Sequence, residues 1–127
     1  MLSERTPIAT LPTADVARAR TFYENALGLT PQEEAPNGIM YRCGAGKLFL
    51  YQSEFAGTNK ATAVTFMVSD EEFDGEVDAL RAKGVNFQTF DYEGMQWKDD
   101  VMVSDGMRAV WFSDPDGNIL NVGTGAM

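Results

Sequence analysis

Residues 111–122 read Trp-Phe-Ser-Asp-Pro-Asp-Gly-Asn-Ile-Leu-Asn-Val (WFSDPDGNILNV), a sharply specified turn between two apolar runs. Pro115 presets φ for the first turn position, Asp116 tolerates the second, and Gly117 supplies a positive φ. The stretch therefore predicts a tight connection between two strands. A calcium loop also contains the order D-x-D-G, but Gly125 stands where such a loop needs its closing Glu, so we interpret the stretch as a turn.

The chain contains one pattern twice, and this turn lies near the end of the second copy. In the first copy an apolar run is followed by a helical pattern that Asp15 caps and Gly28 ends. In the second copy Ser69 or Asp70 is the cap and Gly84 the end. Strand-like runs complete both copies: Pro7–Pro12, Thr30–Glu34, Ile39–Cys43 and Lys47–Gln52 in the first, and Ala63–Val68, Val85–Tyr92, Arg108–Phe112 and Ile119–Val122 in the second. Each half is predicted as strand, helix, strand, strand, strand.

Composition bounds the class of protein. With 127 residues, 44% of them apolar, the chain can close one hydrophobic core, so we predict one domain (1–127) with modules at about 5–55 and 60–125. The formal charge of −9 disfavours nucleic acid and anionic membranes as partners. The N-terminus has no basic region followed by an apolar stretch, and the single cysteine, Cys43, excludes an internal disulfide. We expect a soluble, cytoplasmic protein.

Two segments carry a family resemblance. TADVARARTFYENALGL (13–29) and AVWFSDPDGNIL (109–120), placed in two strand-helix-three-strand halves, resemble the vicinal oxygen chelate (VOC) superfamily, which includes glyoxalase I, bleomycin resistance proteins and extradiol dioxygenases. The resemblance implies an α+β fold in which two βαβββ modules form curved mixed sheets around a cleft. Many members are homodimers of chains of this length, so the resemblance also implies a homodimer.

The resemblance further implies where a metal would be held. Metal-using members bind a divalent ion through four cleft-facing side chains, usually His and Glu. The corresponding positions here are Ile8, Tyr51 (or Leu50 if the register differs by one), Ala63 and Asn121. Ile and Ala offer no donor atom, and an amide with a phenol is a poor ligand set for zinc, nickel or iron. We therefore predict no metal and no other cofactor, and no metal-dependent glyoxalase or dioxygenase activity.

Strand alternation predicts the lining of the cleft, because side chains two residues apart share a face. On the penultimate strand we choose Trp111 over Val110 and Phe112. The predicted ligand-binding residues are Ile8, Thr10, Phe49, Tyr51, Ala63, Thr65, Met67, Trp97, Trp111 and Asn121. Such an apolar, aromatic lining with a few neutral polar groups is typical of a small-molecule pocket. The alternative is that the aromatic residues are core residues.

Residues 91–102 follow neither the helix nor the strand period, and we interpret them as an inserted loop. Its Trp97 could close over a flat apolar ligand, and the neighbouring acids Asp91, Glu93, Asp99 and Asp100 could attract a cationic one. Alternatively, Trp97 anchors the loop to its own barrel or to a dimer partner.

Three functions remain open at the level of sequence. The first is a binding protein of the bleomycin resistance kind, which holds a flat, apolar and optionally cationic ligand in a dimer cleft without metal. The second is an enzyme of lyase or isomerase type that uses no metal or an unusual one, and in which an acid moves a proton. The candidate acids are Glu33, Glu34, Asp91 and Glu93. The third is a scaffold whose cleft is filled by its own side chains. No catalytic residue can be assigned.

Overall fold

The computed structural model describes residues 1–91 and 93–125. Its contacts divide the chain into two compact units. The first contains Met1–Asn59 together with Pro115–Asn118, and the second contains Lys60–Asp114 together with the segment from Ile119 onward. In the described ranges, no helix is long and apolar enough to cross a bilayer.

The first unit is one βαβββ module. A 3₁₀ turn at its start is followed by a strand, a helix and three strands: Leu2–Glu4, then β1 (Ala9–Thr13), α1 (Val16–Thr21), β2 (Thr30–Ala35), β3 (Gly38–Cys43) and β4 (Gly46–Gln52). The sheet order is β1-β4-β3-β2, in which β1 is parallel to β4 and the other pairs are antiparallel. α1 continues into a π-helical segment, Phe22–Ala26.

The signals that predicted the first helix hold in the structure. The Asp15 side chain accepts a hydrogen bond from the Arg18 backbone N–H at 3.1 Å, and Gly28 adopts φ +73° after the helix. One face of the sheet packs against this helix, where the rings of Tyr23 and Tyr41 stack at 6.1 Å. The buried apolar residues of the unit are Leu11, Ala19, Tyr23, Ile39, Tyr41, Leu48 and Leu50.

The second unit repeats the plan with one added strand, Gln96–Lys98, at the edge of its sheet. Its elements are β5 (Thr62–Met67), α2 (Asp70–Ala82), β6 (Gln96–Lys98), β7 (Val101–Ser104), β8 (Met107–Ser113) and β9 (Ile119–Gly123). The sheet order is β5-β9-β8-β7-β6, with β5 parallel to β9. Ser69 caps α2 in a capping box with Glu72, and Phe73, Val77 and Leu80 are the buried residues of the helix. The predicted α+β class with mixed sheets is therefore confirmed.

Two predictions about the second unit are wrong. The segment Val85–Tyr92 is not a strand in its described part, where its one backbone bridge to the sheet is Gln88 with Trp111. The predicted loop 91–102 contains β6 and begins β7, joined by a turn in which Asp99 (φ +52°) and Asp100 (φ +67°) both have positive φ. This is the type I′ geometry of a two-residue hairpin. Strands of three and four residues are too short to show a period.

The turn at residues 114–117 has a second role besides joining two strands. Gly117 does adopt a positive φ, +87°. In addition, the Asp116 carboxylate accepts hydrogen bonds from the Ala14 backbone N–H at 2.9 Å and from Arg18 Nη2 at 2.8 Å. Asn118 Nδ2 donates to the Pro12 carbonyl at 2.9 Å. The turn therefore holds the connection between β1 and α1 of the first unit.

Candidate functional site

Each sheet has one face packed against its helix and one open face. In the second sheet, Val110 and Phe112 are buried on the helix side, whereas Trp111 lies half-buried on the open face, directly opposite Asn121. The register places Thr65 beside Asn121 on the same face. Met67, which is 47% exposed, and Trp97 on β6 also belong to this face by alternation.

Three aromatic residues of the second unit form an aromatic cluster: Phe90, Trp97 and Trp111. The ring centroids of the two tryptophans are 5.9 Å apart, and Phe90 lies 5.5 Å from Trp111 in an edge-to-face arrangement and 6.3 Å from Trp97. Aromatic pairs at these separations attract one another beyond their buried area. The β6–β7 hairpin therefore brings Trp97 against Trp111. In this respect Trp97 anchors its segment to its own sheet, which is one of the alternatives that the sequence left open.

A cavity of about 240 Å³ lies beside this cluster. Its lining is mostly apolar and includes one charged residue, Lys60; the full set is Lys60, Ala61, Thr62, Phe90, Met95, Trp111 and Ile119. Trp111 Nε1 donates a hydrogen bond to Thr62 Oγ1 at 3.2 Å. A concave, apolar surface with one or two oriented polar groups is the usual form of a small-molecule site.

The predicted site residue Ala63 is replaced at this cavity by its neighbour. The β5–β9 register shifts between Thr62 and Val64, so that Thr62 pairs with Ile119 and Ala63 is the extra residue of a bulge. Thr62 consequently lines the cavity, and Ala63 is not among its lining residues. Strict alternation from the sequence cannot locate a bulge, which is why Thr62 was missed.

Phe90 and Met95 were also absent from the predicted set. Phe90 was assigned to a strand that the structure reduces to the Gln88 bridge, and Met95 was assigned to the irregular loop. A sequence signal existed for both, since each lies within a few residues of Trp97 in a segment rich in large apolar side chains. Nothing in the pattern specified which of these side chains would meet Trp111.

Asn121 is buried, with 7% of its surface exposed, and its amide is committed within its own sheet. Asn121 Nδ2 donates a hydrogen bond to the Val110 carbonyl at 3.0 Å. A buried amide requires such a partner, because an unpaired one would cost about 1–3 kcal/mol. The side chain therefore has a structural hydrogen bond on the row it shares with Trp111.

The open face of the first sheet carries the remaining predicted residues. Thr10 is exposed on β1, and Ile8, which precedes β1, is 42% exposed. On β4, Phe49 and Tyr51 are half-buried and their rings are nearly parallel, with centroids 5.9 Å apart and an interplanar angle of 5°. The structure thus groups Thr10, Phe49 and Tyr51 on one face of the first unit.

The four positions of the family's metal ligands do not fit a metal centre. Ile8 and Ala63 have no donor atom, so at most the neutral amide oxygen of Asn121 remains in the second unit. Tyr51 would be left to supply a phenol, and neutral phenol is a weak ligand for transition metals. Within residues 1–91 and 93–125, no group of three His, Cys, Asp or Glu side chains is placed to hold a metal ion.

The candidate acids differ in how they are engaged. Glu34 pairs with Arg20 at 2.7 Å, and Arg20 also binds Glu24 at 2.7 Å. Glu24 in turn accepts a hydrogen bond from the buried Tyr41 hydroxyl at 3.0 Å; burial raises the pKa of that hydroxyl, and Glu24 adds to the shift. Glu34 is therefore part of a structural network. The other three, Glu33, Asp91 and Glu93, are exposed.

Comparison with known proteins identifies the family. A family model described as Glyoxalase/Bleomycin resistance protein/Dioxygenase superfamily matches residues 6–122. No curated protein matches the sequence significantly.

Solved structures show the same fold at low sequence identity. A lactoylglutathione lyase from Agrobacterium tumefaciens is 21% identical, with 93% of this chain and 91% of that chain covered and a TM-score of 0.69. The fosfomycin resistance protein FosX from Listeria monocytogenes is 15% identical, with coverage of 95% and 93% and a TM-score of 0.72. The oxidase ChaP-H2 is 22% identical, with coverage of 96% and 94% and a TM-score of 0.71.

Proposed function

Because this chain belongs to the glyoxalase/bleomycin resistance protein/dioxygenase superfamily, we propose that it is a small-molecule-binding protein without the family's usual metal centre. The observation that carries the proposal is the cavity beside the aromatic cluster, which is lined by Trp111, Phe90 and Met95 and has Thr62 as a polar group. The names of two similar structures also concern small molecules, lactoylglutathione and fosfomycin.

The ligand that suits this cavity is flat, apolar and cationic. A flat ligand is expected because indole and phenyl rings offer faces and edges for stacking. A cationic ligand is expected because the faces of Trp and Phe attract a positive charge by about 0.5–2 kcal/mol. The formal charge of −9 also favours the approach of cations. Lys60 at the rim opposes this attraction. Its side chain is exposed and long enough to turn into solvent, so its charge is screened.

The chain carries its own reporter for this proposal. Its only two tryptophans, Trp97 and Trp111, both belong to the aromatic cluster, so tryptophan fluorescence reports on this site alone. N-methylquinolinium, a flat cation, is expected to quench that fluorescence with a saturable isotherm. Quinoline at pH 8, which has the same shape without the charge, is expected to bind several-fold more weakly. Calorimetry provides an independent affinity.

Two variants make the experiment specific. Trp111→Leu is expected to weaken N-methylquinolinium about tenfold or more, as removal of a central aromatic anchor does, while Trp97 remains as reporter. Phe55→Ala removes an equally apolar ring that is exposed in the first unit and should leave binding unchanged. Quenching that stays linear with concentration, or that is equal in Trp111→Leu, would show that the cavity does not bind this class of ligand.

We propose a homodimer as the functional form. Supporting it are the large apolar side chains that remain exposed on the chain, among them Ile8, Met67 and Met107, because exposed apolar surface is commonly covered by association. Sedimentation velocity is expected to give twice the mass of the chain. A monomer at all concentrations up to about 100 µM would contradict the dimer and leave the ligand proposal intact, since the cavity lies within one unit.

A further inference from the structure

The open face of the first sheet carries two adjacent cations that the proposed function does not use. The register of β3 with β4 places Arg42 directly opposite Lys47, and both side chains are exposed. Among residues 1–91 and 93–125, the cations found in ion pairs are the N-terminus, Arg18, Arg20 and Arg108. Arg42 and Lys47 therefore face each other without an acidic partner among the described residues.

This juxtaposition is unfavourable in the free protein. Side chains directly opposite on antiparallel strands have Cβ atoms about 4.5–5.5 Å apart, and like charges at that separation destabilise the sheet. The chain has 19 acidic residues and only 10 basic ones, so acids to neutralise the pair are abundant in its composition. A carboxylate or phosphate bound between the two side chains would accept charge-assisted hydrogen bonds from both and would relieve their repulsion.

A cavity adjoins the pair. It has a volume of about 270 Å³ and lies between the segment before β1 and the β3–β4 turn. Its lining residues are Thr6, Pro7, Ile8, Ala45, Gly46 and Lys47. Lys47 is the single charged residue among them, so the cavity presents one cation in an otherwise neutral wall. A small anionic group can enter it without meeting a carboxylate of the lining.

Aromatic rings continue the same face beyond the cations. Lys47, Phe49 and Tyr51 alternate along β4, so they share one face at steps of about 7 Å. The Phe49 ring lies against Gly38, at which an added Cβ would lie 2.8 Å from Phe49 Cζ. The glycine therefore leaves the space that the ring occupies, and the face presents a cationic row followed by a parallel pair of rings.

We infer that this face binds an aromatic organic anion. The carboxylate or phosphate of the ligand lies against Arg42 and Lys47, and its ring lies on Phe49. The spacing of about 7 Å between adjacent same-face residues matches the length of a short arylalkanoic acid. The residues of this site belong to the first unit, and those of the aromatic cluster belong to the second.

The test uses the full chain and 3-phenylpropionate as the probe. Calorimetry gives the affinity, and backbone amide NMR reports which residues respond; the largest shifts are expected at residues 42–51. Two reference compounds separate the two halves of the ligand. The amide 3-phenylpropanamide lacks the charge, and propionate lacks the ring, so each is expected to bind more weakly than the probe.

Variants then assign the charge to the pair. Arg42→Gln and Lys47→Gln are each expected to weaken 3-phenylpropionate about two- to fivefold, the effect of one exposed charge, and to make binding less sensitive to salt. Each is also expected to raise the melting temperature of the free protein, because the repulsion is relieved. The matched control is Lys83→Gln, an exposed lysine at the end of α2, which should change neither property.

Three results would overturn the inference. Equal affinity for the acid and its amide would show that charge is not recognised. Equal affinity for 3-phenylpropionate and propionate would remove Phe49 from the site. A lower melting temperature in both Gln variants, with unchanged binding, would show that the cationic pair stabilises the hairpin and has no ligand. Amide shifts at residues 42–51 report on the first unit, whereas quenching at Trp97 and Trp111 reports on the second, so failure of this inference and failure of the proposed function are distinguishable.

Discussion

Replacing Asp116 tests whether the turn that identified the fold holds the first unit together. The side chain of Asp116 is 2% exposed and accepts hydrogen bonds from the Ala14 N–H at 2.9 Å and Arg18 Nη2 at 2.8 Å. Asp116→Asn retains the shape and one neutral acceptor but loses the charge. Hydrogen bonds to a charged group contribute about 1.5–3 kcal/mol, and neutral ones about 0.5–1.5 kcal/mol.

The exposure of Arg18 decides how much of that difference is lost. Its side chain is 51% exposed, so its pairing with Asp116 contributes only about 0.5–1 kcal/mol. Adding the weakened bond to Ala14, Asp116→Asn should cost about 1–2 kcal/mol in the free energy of unfolding. Asp116→Ala should cost about 2–3 kcal/mol, because it removes Oδ1, the oxygen that accepts both hydrogen bonds. For a chain of this size each kcal/mol corresponds to about 3–5 °C in Tm.

The assay is guanidinium unfolding of a double-mutant cycle. Arg18→Gln, Asp116→Asn and the double variant are compared with the parent chain, and a coupling of about 0.5–1 kcal/mol is expected between the two sites. Asp91→Asn, the same chemical change at an exposed position, is the control and should be neutral. A cost below about 0.3 kcal/mol for Asp116→Asn, together with zero coupling, would refute the inference that this carboxylate holds the β1–α1 connection.

Three further predictions concern single features of the sheets and of α2. Gly38→Ala should cost about 1–3 kcal/mol in chemical denaturation, because the added Cβ would meet Phe49 Cζ at 2.8 Å; an unchanged unfolding midpoint would mean that the ring moves freely. Asp100→Gly should raise stability by about 0.5 kcal/mol, since φ at this turn position is +67°, and a lower Tm would contradict it. The Ser69 backbone N–H and hydroxyl lower the pKa of Glu72 from its ordinary value of 4.5, so the stability that Glu72 adds is present above about pH 4.5 and is lost as pH falls through the lowered value. Ser69→Ala should therefore cost about 1 kcal/mol at pH 7 and flatten the acid limb of a pH-stability profile, and an unchanged limb would count against the capping box.

How far the sequence predicts this fold depends on the kind of signal at each position. Asp15, Gly28 and Gly84 mark helix ends through local backbone chemistry, and the structure places them there, with φ of +73° and +82° at the two glycines. The four strands of the first unit lie within two residues of their predicted ends for the same reason. Signals that depend on one residue and its nearest neighbours are read reliably from a sequence.

The site is predicted less well because it depends on register. Alternation assigned Trp111 and Thr65 to the open face of the second sheet, where the structure has them. The bulge at Ala63 shifts the register, so that Thr62 and not Ala63 lines the cavity. No sequence pattern predicted this bulge. Trp97 reaches Trp111 only because a three-residue strand pairs at the sheet edge. Pairing over such short strands is decided by tertiary contacts, which sequence patterns do not contain.

The loss of the family's metal ligands and the presence of the aromatic cluster are linked through one row of the second sheet. Trp111 lies directly opposite Asn121, and the Asn121 amide donates to the Val110 carbonyl, on the strand that carries Trp111. A glutamate at position 121 has no donor for that carbonyl, and a glutamate or a histidine there would share the row with an indole. Restoring a donor there would still leave Ile8 and Ala63 without one. Trp111 Nε1 donates to Thr62 Oγ1, so the groups that this pair presents are the indole ring face and the Thr62 hydroxyl proton.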